Sequence, residues 1–223
     1  MRFRKEVIKM DFCQRIKEYR DLEIKVLQSL DLESINKVMN VLENARKAGQ
    51  HIFICGNGGS AATASHFAGD FNKGVNIGRI KNRLRDVASK SDAERISRSD
   101  IPMYNFECLS DNQSSMMAVA NDESYAEIFR FPLAVKMKEG DIVIGVSGSG
   151  NSANVVNALD YANNHGGVTV ALVGYDGGKM KKMADYCIHV NINDMQITED
   201  IHMFLDHLMM WVLTNTEGDG NLE

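Results

Sequence analysis

Excess positive charge is missing from this chain of 223 residues. Twenty-five Lys and Arg stand against thirty Asp and Glu, for a net charge of −5. That balance argues against a nucleic-acid surface built on bulk charge and against adhesion to an anionic membrane. A small anion held locally is still compatible. Paired cysteines are missing too: Cys13, Cys55, Cys108 and Cys187 are far apart and form no C-x-x-C, so neither a zinc knuckle nor a redox motif is suggested. Cys55 and Cys108 end apolar runs, as small core residues in a reducing compartment would. No stretch is long and apolar enough for a membrane span. The opening MRFRKEVIKMDF is broken by charge every few residues and has no signal-peptide core. The expectation is a cytoplasmic protein with no membrane and no nucleic-acid partner.

With 44% hydrophobic and 25% charged residues, the chain lies in the ordinary globular range and is long enough for one substantial core. A single domain over residues 1–223 is expected. No proline falls between Phe12 and Ala48, where Ile16, Tyr19, Leu22, Val26, Leu30, Leu32, Ile35, Val38, Val41 and Leu42 lie mostly three or four apart. This spacing predicts two helices meeting near Ser29 to Glu33, within an N-terminal helical segment 1–48 that packs on a sheet or on another subunit.

Apolar runs of strand length follow at His51 to Cys55, Met103 to Cys108, Asp141 to Val146, Val168 to Val173 and Tyr186 to Val190. Between them, helical patterns are placed at Ala61 to Phe71, Gln113 to Ala120, Tyr125 to Lys136, Ala153 to His165 and Gln196 to Asn215. Alternating strands and helices predict an α/β three-layer sandwich, a five-stranded parallel sheet flanked by helices. Residues 74–102 are weakly periodic and rich in Arg79, Lys81, Arg83, Arg85, Lys90, Arg95 and Arg98. They read as an inserted excursion, either solvated or a lid that brings arginine to an anionic substrate. Residues 216–223 read as a tail.

Two turns rich in glycine and serine each follow a strand and precede a helix: Ile52 to Ser60 (IFICGNGGS) and Ile142 to Ser152 (IVIGVSGSGNS). Glycines let backbone approach an anion closely, and the N–H groups of a helix start favour a phosphate. The first loop has no third glycine at dinucleotide spacing and neither loop ends in G-K-[ST], which disfavours nucleotides. The second carries three hydroxyls, Ser147, Ser149 and Ser152, that can coordinate a phosphate monoester without lysine. Ser152 reads equally as a helix N-cap.

His66 and Asp70 lie four apart on the helix after the first loop and share a face. Glu199 and His207 lie eight apart on the last helix. If the helices meet, two imidazoles and two carboxylates form a ligand set for zinc or a similar divalent ion, with a position left for substrate. Taken alone, His207 among Leu205, Leu208, Met209 and Met210 reads as a core histidine. His51, His165, His189 and His202 read as structural.

The blocks CGNGGSAATASHF, LSDNQSSMMAVANDESYAEIF, GVSGSGNSANVVNAL, VALVGYDGGKM and EDIHMFLDH, in this order, resemble the sugar isomerase (SIS) domain and, within it, the bacterial phosphoheptose isomerases. The likeness runs from about Lys47 to Leu213. It implies a SIS fold, aldose–ketose isomerisation of sedoheptulose 7-phosphate or a related sugar phosphate, and a homotetramer with sites at subunit contacts. It implies phosphate at Ser147, Gly148, Ser149 and Ser152, and sugar contacts from Asn57, Gly58, Gly59, Ser60, Asp111, Asn112 and Gln196. A divalent metal, zinc in expectation, falls to His66, Asp70, Glu199 and His207, with Asp70 and His207 as the acid/base pair. Three positions depart from the family pattern: Asp70 for a catalytic glutamate, Glu199 for a glutamine ligand, and Gln196 for an aspartate. A noncatalytic SIS protein that binds a sugar phosphate or a protein partner is the alternative. A lyase or etherase on an amino-sugar phosphate would use the same loop with a different base.

Overall fold

Residues Ile52–Gly56, Phe106–Cys108, Ile142–Ser147, Val168–Val173 and Tyr186–His189 form strands β1 to β5 in the computed structural model, which describes residues 11–85 and 101–216. All pair in parallel, in the order β2-β1-β3-β4-β5. Strands β1 and β3 are buried along their whole length, which explains their unbroken apolar runs. Alternation then sends Ile52 and Ile54 to one face and Phe53 and Cys55 to the other, each joining a separate apolar cluster.

The first face is covered by α2 (Leu32–Ala48), α3 (Gly59–Gly69) and a C-terminal helix, with α1 (Cys13–Gln28) reaching it through Val26. Asp31 caps α2 by accepting from the Glu33 and Ser34 N–H groups, and Gly49 ends it at φ +68°. After α3 the chain widens into a π-helical turn, Asp70–Val75, and continues as α4 (Asn76–Arg85). The second face carries α5 (Gln113–Asp122), α6 (Arg130–Lys136), α7 (Ala153–Asn164) and α8 (Gly178–Met183). The C-terminal helix, α9 (Met195–Asn215), is capped by Asp194, whose Oδ1 accepts from the Ile197 N–H at 3.0 Å.

Several elements differ from expectation for local reasons. Tyr125 to Lys136 splits into a 3₁₀ turn (Tyr125–Glu127) and α6, which places Pro132 in a first turn, where its missing N–H costs nothing. The first part of the basic segment, Asn76–Arg85, is helix, and Arg79 donates to Glu43 Oε1 at 2.7 Å. The rest of that segment, residues 86–100, and most of the expected tail lie outside the described residues. Strand β2 is shorter than its apolar run, and side chains cover its outer edge. Asn72 donates to the Phe106 carbonyl and accepts from its N–H, both at 2.8 Å, and Asn76 does the same at Tyr104, at 3.0 and 2.8 Å. Two amides four residues apart thus stand in for the missing neighbour of an edge strand.

Among the described residues no helix is long and apolar enough to cross a membrane. His202 is fully buried on α9, and burial holds its imidazole down at about 4, so it folds neutral.

Two outcomes follow. Asn76→Ala leaves a buried backbone N–H and C=O at Tyr104 without partners, and should cost about 2 kcal/mol in urea unfolding. His202 binds a proton more readily unfolded (near 6.5) than folded, so its contribution to stability is complete above pH 6.5 and is lost as pH falls toward about 4. Urea curves of wild type and His202→Leu should therefore diverge across that window, wild type losing on the order of 3 kcal/mol more.

Candidate active site

In this strand order the chain leaves β1 toward one sheet edge and β3 toward the other, so the loops after them part company at a crevice. Both glycine-rich loops sit there, and side chains tie them together. Asn57 and Asn154 exchange two amide hydrogen bonds of 2.8 Å, and the Tyr125 hydroxyl donates to Asn57 Oδ1 at 2.9 Å. Asn57, expected to face sugar hydroxyls, spends most of its amide on this tie. Ser110 holds the loop after β2 against Gly56, its hydroxyl donating to the Gly56 carbonyl at 2.9 Å. Asp111 is exposed and accepts from Ser65 Oγ at 3.1 Å, while Asn112 caps α5 through the Ser115 N–H.

The second loop turns at Gly150, whose φ of +64° and contact with the Gly177 carbonyl leave no room for a Cβ. Its N–H donates to the Ser147 carbonyl at 3.0 Å. Ser147 and Ser152 face each other with hydroxyl oxygens 3.1 Å apart, and Ser149 Oγ accepts from the Asn151 N–H at 3.2 Å. Ser152 occupies the N-cap position of α7, yet its hydroxyl makes no capping bond. The turn is thus lined with hydroxyls at a helix start, an arrangement suited to a phosphate.

Helix α9 connects the two glycine-rich loops to the acid and histidine residues. Its first turn touches the second loop: a Cβ on Gly148 would strike Met195, and one on Gly174 would strike Thr198. One turn on, the Glu199 carboxylate lies against Gly59 at the start of α3, where a Cβ would collide with it. Exposed Gln196 and buried Ser60 belong to this same level. About two turns further along both helices, seven residues after Gly59 and eight after Glu199, His66 meets His207, Nε2 to Nε2 at 3.1 Å. Asp70 Oδ2 lies 3.5 Å from His66 Nε2 and 4.0 Å from His207 Nε2.

A fourth group completes this cluster, and it is Asp206 rather than Glu199. One donor atom from each of His66, Asp70, Asp206 and His207 falls within 4.8 Å of all the others. Asp206 is fully buried, both its oxygens lack a hydrogen-bond partner, and Oδ2 points at His66 Nε2 from 3.8 Å. Burial, and then the neighbouring Asp70, push its carboxyl up to about 7. Two carboxylates and two imidazoles facing one another, one carboxylate orphaned in the interior, are a donor set that a divalent cation fits. The remaining histidines make local contacts: His165 Nδ1 and His189 Nε2 each lie 2.8 Å from a backbone carbonyl, and His51 sits 3.6 Å from Glu107.

The structure therefore brings the expected residues into two groups on α9, one at the loops and one about 12 Å along the helix, taking eight residues from Thr198 to Asp206. Asp206 went unnoticed in the sequence, although it lies seven residues after Glu199 and so shares its stripe.

A family model described as the SIS domain matches residues 16–174. The chain belongs to the SIS-domain family. Among its relatives are the phosphoheptose isomerases of Aliarcobacter butzleri (32% identical, covering 86% of this chain and 89% of the relative) and Akkermansia muciniphila (35%, covering 78% and 81%). At that identity and coverage it also belongs with the phosphoheptose isomerases, and it is an enzyme of the isomerase class. The solved phosphoheptose isomerase GmhA of Neisseria gonorrhoeae shares the fold, with a TM-score of 0.76 at 24% identity over 92% of this chain and 100% of that one. That of Francisella tularensis gives 0.74 at 20% over 93% and 100%.

Because Ser152 does not cap α7, Ser152→Ala should shift thermal unfolding by less than the roughly 1 kcal/mol expected from loss of a working cap. Inorganic phosphate should nonetheless bind the variant several-fold more weakly by calorimetry.

Proposed function

We propose that this isomerase interconverts the aldose and ketose forms of a phosphorylated sugar, sedoheptulose 7-phosphate or a near relative, by proton transfer through an enediol. The observation that carries this reading is the pairing of a hydroxyl-lined phosphate turn at Ser147, Ser149 and Ser152 with an acid and histidine cluster on one connecting helix. The Gly148 backbone shares in phosphate binding, while Asn57, Gly58, Gly59, Ser60, Asp111, Asn112 and Gln196 line the sugar's side of the crevice.

The chemistry needs one group to take the proton beside the carbonyl and return it to the neighbouring carbon, and another to serve the oxygens. Asp70 is the base, because its carboxylate, unlike that of fully buried Asp206, is partly exposed and can meet a carbon-bound proton. His207 is the acid, since its half-exposed ring can protonate the oxygen as the electrons shift. His66, Asp70 and His207 are among the residues that hold the cation. A divalent ion, zinc by family resemblance, supplies polarisation of the carbonyl and stabilisation of the enediolate when bound.

Assembly is part of the reading. The two groups on α9 are farther apart within one chain than a sugar phosphate can easily span, and α1 and α9 present Phe12, Ile16, Tyr19, Ile24, Phe204 and Trp211 at the surface. A homotetramer that sets one protomer's loop beside another's cluster resolves both facts. A noncatalytic regulator gains nothing from converging imidazoles and carboxylates, and the isomerase relatives favour catalysis.

The test is to incubate the metal-loaded protein in D2O with a panel of heptose and hexose phosphates, following deuterium beside the carbonyl by NMR. Exchange into at least one sugar, lowered about a thousandfold by Asp70→Asn, is expected. No exchange into any of them would end the isomerase reading. Mixing Ser149→Ala and His207→Ala protomers, each inactive alone, should restore activity if sites are shared between subunits.

A further inference from the structure

We propose that Asp206 is a ligand of the divalent cation, supplying the buried carboxylate of the set with His66, Asp70 and His207, and that Glu199 stands outside it. This rests on the reading of the cluster as a cation site and changes its membership.

The geometry of α3 against α9 carries the argument. The two helices run side by side with the same register, Gly59 opposite Glu199 and, seven residues later in both, His66 opposite Asp206, with His207 one residue on also meeting it. Seven residues are about 10.5 Å of helix. The Glu199 carboxylate is packed on Gly59, at the loop end of that interval. Asp206 lies at the cluster end, on the same stripe, with its carboxylate 3.8 Å from His66 Nε2.

The state of Asp206 points the same way. A side chain that is fully buried usually has its polar atoms satisfied, and an orphaned carboxylate is among the costliest groups to bury. Neither Asp206 oxygen has a hydrogen-bond partner. Nothing on its own helix supplies one: one turn away lie His202, Met203, Met209 and Met210, and His202, fully buried like Asp206, makes no hydrogen bond with it. The groups it faces are His66, from α3, and Asp70, at the start of the π-helical turn. Another acid cannot satisfy it while both are ionised. A cation coordinated between the two carboxylates and the two imidazole nitrogens satisfies all four at once.

The experiment uses the full-length protein stripped with a chelator. Zinc affinity is measured by competition with a chromophoric chelator, and Co2+ is added separately as a spectroscopic probe of the ligand field. Asp206→Asn and Asp206→Leu should each bind zinc at least about a hundredfold more weakly and alter the Co2+ visible spectrum, while Glu199→Ala, which removes any ligating group, stays within about threefold of wild type. Without metal, Asp206→Leu should melt above wild type, since it removes an unpaired buried carboxylate from an apolar helix face, and added zinc should no longer raise its melting temperature. A purely structural Asp206 predicts the opposite: a lower melting temperature and undiminished zinc affinity. If both Asp206 variants bind zinc like wild type, or if Glu199→Ala loses as much as they do, the assignment is overturned while the cation site stands. If wild type takes up neither metal, the cation reading itself falls and this assignment falls with it.

Discussion

The site depends on how closely α3 and α9 approach each other. Both helices lie on the same face of the sheet and share one apolar cluster, with Ala64, Phe67 and Ala68 of α3 against Ile201, Leu205 and Met209 of α9. Small residues on α3 make the approach possible, and Gly59 marks its tightest point. Once that packing is set, the polar residues have little freedom left. Every side chain on the facing stripes meets its opposite at a fixed level, and those levels repeat every seven residues because two turns of helix nearly close. Glu199 is thereby committed to the loops, and His207 and Asp206 to His66.

The same packing depends on β1, which is threaded through the centre of the sheet and delivers α3 to its position. Strand β1 has β2 on one side and β3 on the other, so the two glycine-rich loops emerge next to each other. The exchange of amide bonds between Asn57 and Asn154 then fixes their separation. On the outer edge, the clamps from Asn72 and Asn76 bind β2 to the π-helical turn and α4. Because that turn begins at Asp70, the bonds that protect the sheet edge also hold a member of the cluster in place. Glu43 braces the same region, accepting from Arg46, Arg79 and the Tyr104 hydroxyl.

Much of this was legible in the sequence where one physical signal dominated. Strands buried on both faces announce themselves as unbroken apolar runs, and β1 and β3 were placed to within a residue. The loops were legible because glycine and serine clusters between a strand and a helix have few other uses. What escaped was decided by partners distant in the chain. The outer edge of β2 is closed by two asparagines some thirty residues earlier, and α4 begins inside a segment whose arginines read as solvated charge, although Arg79 is spoken for by Glu43. Asp206 escaped for another reason. A single acid in MFLDHLMMWVL looks like a solvated position beside a more conspicuous histidine, and only the placement of α3 shows that it points inward. A signal was present, since Asp206 repeats the position of Glu199 after two turns.

Electrostatics links these observations. Within the cluster of His66, Asp70, Asp206 and His207, burial and then the neighbouring Asp70 push the Asp206 carboxyl up, so that group stands out of balance with its surroundings. The protein nevertheless holds them together, using apolar packing on both helices rather than any hydrogen bond to Asp206. Such an arrangement costs stability, because a buried carboxylate is left without a partner. The loop end of α9 shows no such conflict. There the hydroxyls of Ser147 and Ser152 satisfy each other, and the turn can take or release an anion with little rearrangement. One helix thus carries a buried, unpartnered carboxylate at one end and a mutually satisfied pair of hydroxyls beside the other, because apolar packing alone sets the first and hydrogen bonding the second.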